Sequence, residues 1–227
     1  MKKTYSTLVI SPHCDDEALG CAGMLYNRKK DSNTFVYYMG VDLFHIVKRE
    51  DRVKEVDDVS KYLNFDYRIG TNQVNHYHRD LIIDEITDLI NEIKPKEVFI
   101  PNPSYNQDHK EVYDACMIAL RPHDRNYFVP CVFVFEVDQY LLWGDNNFEP
   151  NYFEPIDVDS KIKAYEMYKS QVRLFRPPEL IKNYARIRGL SSNTQYAEAF
   201  KIIRMTKDEN YSNDDDTQTD QGHITFL

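Results

Sequence analysis

No Cys-x-x-Cys pair occurs in the sequence, and the four cysteines, Cys14, Cys21, Cys116 and Cys131, are scattered along it. Their spacing argues against a structural zinc ribbon or a thioredoxin-like redox centre. It offers no secreted disulfide framework, so a reducing cytoplasm is the expected setting. No Gly-x-Gly-x-x-Gly follows the first apolar run, which leaves nucleotide-cofactor binding without support. No stretch approaches the ~18 consecutive apolar residues of a membrane span. Met1-Lys2-Lys3 opens in the manner of a signal peptide, but the apolar run behind it is too short and acids follow at once. Positive charge is in deficit: 28 Lys and Arg stand against 37 Asp and Glu, a net charge of −9. That balance argues against binding nucleic acid or an anionic membrane through bulk charge. No internal repeat is visible.

What is present is enough for one domain with a substantial core, at 227 residues. The 17 tyrosines and 12 phenylalanines are expected mostly in core and rim packing. Apolar runs alternate with helical patterns. Thr7-Leu8-Val9-Ile10, Thr34–Met39, Phe65–Ile69, Glu97-Val98-Phe99-Ile100 and Pro130–Val137 read as strands. Glu17–Lys30, Lys48–Leu63, Leu81–Ile93, Asp108–Leu120, Asp159–Gln171 and Pro178–Arg188 read as helices. This alternation implies an α/β domain whose parallel sheet is covered by helices on both faces. Tyr140–Phe153, with Trp143, reads as an aromatic loop suited to a substrate rim or to plain packing. Residues 206–221 are acidic and polar, so 206–227 is expected to be a mobile tail behind a domain spanning 1–205.

The chemistry gathers in two turns. The first is Ser11-Pro12-His13-Cys14-Asp15-Asp16-Glu17, between a buried strand and a helix. In open α/β sheets, ligands bind at such carboxyl ends. Three adjacent carboxylates repel, and a bound cation is the usual compensation. His13 and Asp16, three apart, can face one point, a donor set that suits a borderline divalent metal, zinc first. The alternative is a solvated acidic helix N-terminus stabilised by the dipole. The second turn is Pro101-Asn102-Pro103-Ser104-Tyr105-Asn106-Gln107-Asp108-His109, where two prolines impose an extended loop before a helix. Asp108 and Glu111 have capping-box spacing, and His109 falls in the first helical turn. His76 and His78 are compatible with metal ligation, although a polar loop usually leaves such residues solvated.

Ser11–Gly23 resembles the signature of the PIG-L/LmbE family of zinc-dependent N-acetylsugar deacetylases, which carries His-Pro-Asp-Asp-Glu after its first strand. Here Cys14 replaces the proline. Asn106-Gln107-Asp108-His109 is similar to the family's His-x-Asp-His except at its first residue, and the stretches Lys163–Gln171, Ala185–Gly189 and Tyr196–Phe200 resemble its C-terminal region. The resemblance implies a Rossmann-like three-layer sandwich with a mostly parallel, lactate-dehydrogenase-like sheet. It implies zinc, or another divalent metal, on His13, Asp16 and His109, with Asp15 as general base and Glu17 in support. Asn106 and Asp108 join the catalytic set, Asp108 as the partner that would orient an imidazole. Arg52, from an Arg-x-x-Glu with Glu55, and Tyr105 are expected at the substrate. The implied reaction is hydrolysis of an N-acetyl group on an amino sugar or sugar conjugate. Two other readings stay open. One is a noncatalytic metal-containing member that binds a sugar or a partner; the other is a zinc hydrolase of another amide or an ester.

Overall fold

The computed structural model describes residues 4–31, 33–41, 47–122, 124, 126–137 and 148–206. The loop through Asp42, most of the Tyr140–Phe153 segment with Trp143, and the tail beyond Thr206 lie outside the described residues. In chain order the elements are β1 (Thr7–Ser11), α1 (Asp16–Arg28), β2 (Thr34–Tyr38), α2 (Arg49–Leu63), β3 (Asp66–Ile69), α3 (Arg79–Ile93) and β4 (Glu97–Pro101). Then follow α4 (Gln107–Ala119), β5 (Cys131–Phe135), β6 (Tyr152–Pro155), α5 (Val158–Met167), α6 (Pro178–Ser191) and β7 (Ala197–Met205).

These strands form one seven-stranded sheet in the order β3-β2-β1-β4-β5-β7-β6. The first five are parallel, and β7 runs antiparallel to both β5 and β6. Period-two alternation divides the core. Leu8, Ile10, Val98, Ile100, Val132 and Val134 pack under α3 and α4. Val9, Phe99, Phe133 and Phe135 pack under α1, α2, α5 and α6 on the other face. Burial on both faces explains why these strands read as continuous apolar runs. The result is the three-layer, mostly parallel Rossmann-like architecture that the resemblance implied.

The strand order reverses at β1. The chain moves outward through β2 and β3, then returns to β4 on the other side of β1. Thr7 pairs with Glu97 and Val9 with Phe99, so the two strands end side by side. A crevice opens where their following loops diverge, and both chemical turns leave the sheet there.

Three elements, β6, β7 and α5, depart from the pattern the sequence predicts. β6 and β7 were not legible as strands. β6 is four residues long, sits at the sheet edge and ends in Pro155. In β7, the buried run Ala197–Phe200 contains a buried glutamate, which breaks the expected polar–apolar alternation. The helix expected over Asp159–Gln171 stops at Met167. Tyr168 leaves helical geometry, and its hydroxyl enters the core to meet Glu17 Oε1 at 2.5 Å and Tyr38 at 3.1 Å.

Helix α1 is set by two unusual contacts. A Cβ at Gly20 would lie 2.3 Å from Phe135 Cδ2, so only glycine lets α1 approach the end of β5 this closely. In mid-helix, Gly23 N–H and Met24 N–H each donate to the Glu198 carboxylate at 2.8 Å. Lys161 Nζ pairs with that carboxylate at 2.7 Å and also donates to the carbonyl of Leu19. Thus both ends of the helical rung from Leu19 to Gly23 meet a buried ion pair supplied by α5 and β7.

Candidate metal centre

The turn after β1 carries local strain. Asp15 has φ 130°, a conformation that a non-glycine residue rarely adopts. It stands at the N-cap of α1 without a side-chain cap bond. Its backbone carbonyl accepts from Leu19 N–H at 2.9 Å, while its carboxylate turns to a crevice partner, Arg176. His13 N–H donates to Asp16 Oδ2 at 2.9 Å, which closes the turn and brings the two side chains together.

His109, in the first turn of α4, completes the group. Asp16 Oδ2 lies 3.3 Å from His13 Nδ1 and 3.1 Å from His109 Nε2. The two ring nitrogens are 3.3 Å apart. A tetrahedral ion with bonds of ~2.0–2.1 Å has ligand–ligand edges of ~3.3 Å, so the three atoms are spaced as three corners of such a site. His109 and Asp16 are buried, and His13 is slightly open to the crevice. The donor set of two imidazoles and one carboxylate fits a divalent metal with one position left for solvent or substrate.

Asp108 orients the His13 ring. Its Oδ2 accepts from His13 Nε2 at 2.8 Å and from Asn75 N–H at 2.6 Å. A carboxylate can only accept here, so Nε2 carries the proton and Nδ1 directs its lone pair at the cluster. Burial disfavours charge on His13, but the hydrogen bonds to Asp108 and Asp16 outweigh it and lift its pKa to about 9. A cation at Nδ1 would take the place of that extra proton. Against the cost of burial, His109 and His13 hold the Asp16 carboxyl well below the usual range. Burial pushes Asp15 upward, with Arg176 working against it.

Asp108 is therefore not the capping residue that its spacing with Glu111 suggested. Helix α4 starts at Gln107, and Asn106 is its N-cap, with Oδ1 accepting from Asp108 N–H at 3.0 Å. That bond fixes the orientation of the amide and leaves Nδ2 as its donor end. Glu17 is fully buried beneath the turn, where Tyr168 donates to it and burial raises its pKa to about 8. The Cys14 thiol is buried as well, and burial pushes its pKa up, away from thiolate reactivity.

The centre opens into a cavity of about 250 Å³ lined by His13, Asp15, Asp16, Arg52, Asn75 and Asn106, together with Val74, Gln171, Arg173 and Arg176. His13, Asp15, Asp16, Arg52 and Asn106 thus share the lining of one cavity. His109 and Asp108 support the centre from behind. Tyr105 is 61% exposed and is not among the lining residues. His76 and His78 are exposed, and their loop reaches the centre through Val74, Asn75 and Tyr77 instead; Tyr77 donates to the Pro12 carbonyl at 2.7 Å.

Arg176 was not anticipated. It is 3% exposed, donates to Asp15 Oδ2 at 2.6 Å, and is held by the Gln171 carbonyl and Tyr165. Glu55 steadies the same loop by accepting from Ser170 N–H at 2.8 Å and Ser170 Oγ at 2.6 Å. An arginine before two prolines carries no local signal of this role.

A match to the PIG-L family, described as GlcNAc-PI de-N-acetylase, runs over residues 8–120. Residues 8–120 thus carry a PIG-L family domain. The match contains both chemical turns and Arg52, and it ends before Arg173 and Arg176. No curated protein sequence matches the chain. Among solved structures, the chain is similar to the conserved protein TT1542 of Thermus thermophilus, with 22% identity, a TM-score of 0.75, and coverage of 92% of this chain and 99% of that one. It is similar to N,N'-diacetylchitobiose deacetylase from Pyrococcus horikoshii, with 18% identity, a TM-score of 0.71, and coverage of 87% and 83%. It is equally similar in fold to GalB, the 4-carboxy-2-hydroxymuconate hydratase of Pseudomonas putida, with 18% identity, a TM-score of 0.72, and coverage of 92% and 100%. At these identities the likeness is one of fold, which hosts more than one chemistry.

Proposed function

We propose that this chain is a metal-dependent amidohydrolase that removes an N-acetyl group from an amino sugar or sugar conjugate and releases acetate. The observation that carries the reading is the spacing of His13 Nδ1, Asp16 Oδ2 and His109 Nε2, with the Arg176-paired carboxylate of Asp15 next in sequence and in the same cavity. A divalent ion held by these three groups, zinc by its donor set, would supply a polarised acetyl carbonyl and an activated water.

The chain's own residues divide the remaining work. Asp15 takes the proton of the attacking water and returns it to the leaving amine. Its unusual backbone angle and its bond to Arg176 aim one oxygen at Arg176 and leave the other for the cavity. Asn106 cannot transfer a proton, but its Nδ2 can donate to the oxygen on which negative charge develops. Asp108 keeps the His13 ring in one tautomer and orientation. Arg52 lines the substrate side of the cavity. The products are acetate and a free amine.

We assign the activity to residues 1–205, where β7 ends the sheet, and treat 206–227 as a dispensable tail. Among the described residues no helix is long and apolar enough to cross a membrane. The free cysteines, three of them buried, suit the reducing cytoplasm.

The experiment is metal analysis coupled to acetate release. The wild type, His13→Ala, Asp16→Ala, His109→Ala and Asp15→Asn are purified, assayed for bound metal and incubated with N-acetylhexosamines and their conjugates. The three ligand variants should lose metal. Asp15→Asn should keep it and lose about 10²–10⁴-fold in turnover. Full metal occupancy in every variant would remove the site assignment. Metal bound with no acetate from any substrate would favour the binding member of the fold.

A further inference from the structure

Glu17 is the one acid of the first turn with no part in the proposed reaction. It follows Asp15 and Asp16 directly and is wholly buried beneath the turn. A buried acid beside two others persists where donors satisfy it. Its two oxygens divide. Oε1 accepts from the Tyr168 hydroxyl at 2.5 Å, and Oε2 accepts from the backbone N–H of Asp15 at 3.3 Å. Tyr168 spends its one proton on Glu17, so the Tyr38 hydroxyl, 3.1 Å away, is the donor in that pair. Neither tyrosine is exposed to solvent. A chain of contacts, Tyr38 to Tyr168 to Glu17 to Asp15, thus runs through the core from the end of β2 to the strained turn.

Asp15 needs such a hold. Its φ of 130° persists in a non-glycine residue only where the surroundings over-determine it. Its carbonyl accepts from Leu19 N–H at 2.9 Å, its N–H donates to Glu17, and its Oδ2 accepts from Arg176 at 2.6 Å. Only the first of these belongs to helix α1. The other two trace to the connector between α5 and α6. Tyr168 caps the end of α5, Arg176 stands shortly before α6, and the Tyr165 hydroxyl ties the connector to α5 by donating to the Arg176 carbonyl at 2.9 Å. One connector therefore grips Asp15 twice, at its side chain through Arg176 and at its backbone through Tyr168 and Glu17.

We propose that Tyr168 is a positioning residue for Asp15: its hydroxyl, acting through Glu17, holds the Asp15 backbone so that the oxygen not taken by Arg176 faces the cavity. The inference rests on the reading of Asp15 as general base. A misplacement of about 1 Å costs on the order of 10²-fold in rate, so a hydroxyl outside the cavity lining is felt in turnover.

Tyr168→Phe removes the hydroxyl and keeps the ring in the core. Tyr5→Phe is the control: it removes a tyrosine bond to a carboxylate, Asp66 Oδ2 at 2.7 Å, at the opposite end of the sheet. Both are compared with the wild type in metal-loaded form, for metal content, kcat and KM on N-acetylhexosamines, and by NMR for amide exchange at Asp15. Tyr168→Phe should keep its metal, hold KM within about twofold, and lose about tenfold or more in kcat. Exchange at Asp15 should quicken by about tenfold. Tyr5→Phe should match the wild type in all of these. A loss of stability alone would lower the melting temperature without splitting kcat from KM. Glu17→Gln and the double variant complete a cycle: the double variant should turn over no more slowly than the slower single one, and losses that multiply overturn the route through Glu17. Exchange at Asp15 within about twofold of the wild type in Tyr168→Phe overturns the proposal, as does an unchanged kcat or a loss of metal. If the metal-loaded wild type releases no acetate, the hydrolase reading fails and exchange decides. Faster exchange at Asp15 in Tyr168→Phe and not in Tyr5→Phe upholds the hold on its backbone, and equal exchange overturns it.

Discussion

Arg176 and Asp15 meet at 2.6 Å across 161 residues of sequence, both almost wholly buried. The contact joins the strained turn after β1 to the loop between α5 and α6. Removing the arginine leaves a buried carboxylate unpaired, a loss of roughly 3–5 kcal/mol in stability. It also frees the Asp15 carboxylate to rotate. Arg176→Gln should therefore lower the melting temperature and cut kcat by about 10²-fold, while metal content stays at the wild-type level. Calorimetric melting, metal analysis and steady-state acetate release measure the three effects. Loss of metal along with activity would instead make Arg176 a support of the ligands.

Asp108 tests the orientation of His13. Its Oδ2 holds His13 Nε2–H, and its Oδ1 is buried without a hydrogen-bond partner. In Asp108→Asn the carboxylate acceptor is replaced by an amide. Metal affinity should fall by about 10–100-fold although no ligand atom has been removed. Competition with a graded series of chelators gives the number. An unchanged affinity would mean that the ring is held by packing alone.

Asn106 couples a helix cap to the cavity, and two substitutions separate the roles. Asn106→Asp keeps an oxygen for Asp108 N–H but loses the amide donor, so stability should hold while turnover falls. Asn106→His loses the cap, at a cost of about 0.5–2 kcal/mol, and brings a group that can donate a proton. Its activity should rise at a lowered melting temperature. Denaturation curves and acetate release between about pH 5.5 and 9, the range over which a histidine changes charge, are the measurements. If the histidine variant is less active than the native protein, the cavity is tuned to a neutral amide.

Lys161 and Glu198 hold α1 from behind, with both side chains 3% exposed. Lys161→Met leaves the carboxylate buried and unpaired, and should cost roughly 3–5 kcal/mol. Glu198→Gln keeps an acceptor for one of the two helix N–H groups and should cost less. The order of the two melting temperatures is the readout, and the reverse order would mean that the helix bonds matter more than the charge pair.

The local elements were legible because backbone geometry writes itself into local pattern. The parallel strands β1, β2, β4 and β5 are buried on both faces and appear as short apolar runs, and α2 and α3 appear as three- and four-residue periodicities. Two βα turns at neighbouring strand ends marked His13, Asp16 and His109 as candidates, and the resemblance of those turns to the PIG-L motifs grouped them as one site. The same logic passed over β6 and β7, since a four-residue edge strand and a strand with a buried glutamate break the pattern that the reading depends on.

By itself, then, the sequence determined the α/β order, the two turns and the chemical types gathered in them, since each depends on residues within a few positions of one another. Tertiary structure decided what those residues do together. It placed Arg176 on Asp15, Lys161 and Glu198 in the rung of α1, and Asn75 N–H on Asp108. It also turned Nδ1 of His13 toward the cluster and gave the α4 cap to Asn106. These outcomes depend on distances between elements far apart in the chain, where packing and buried charge select the partner and no local spacing records the choice.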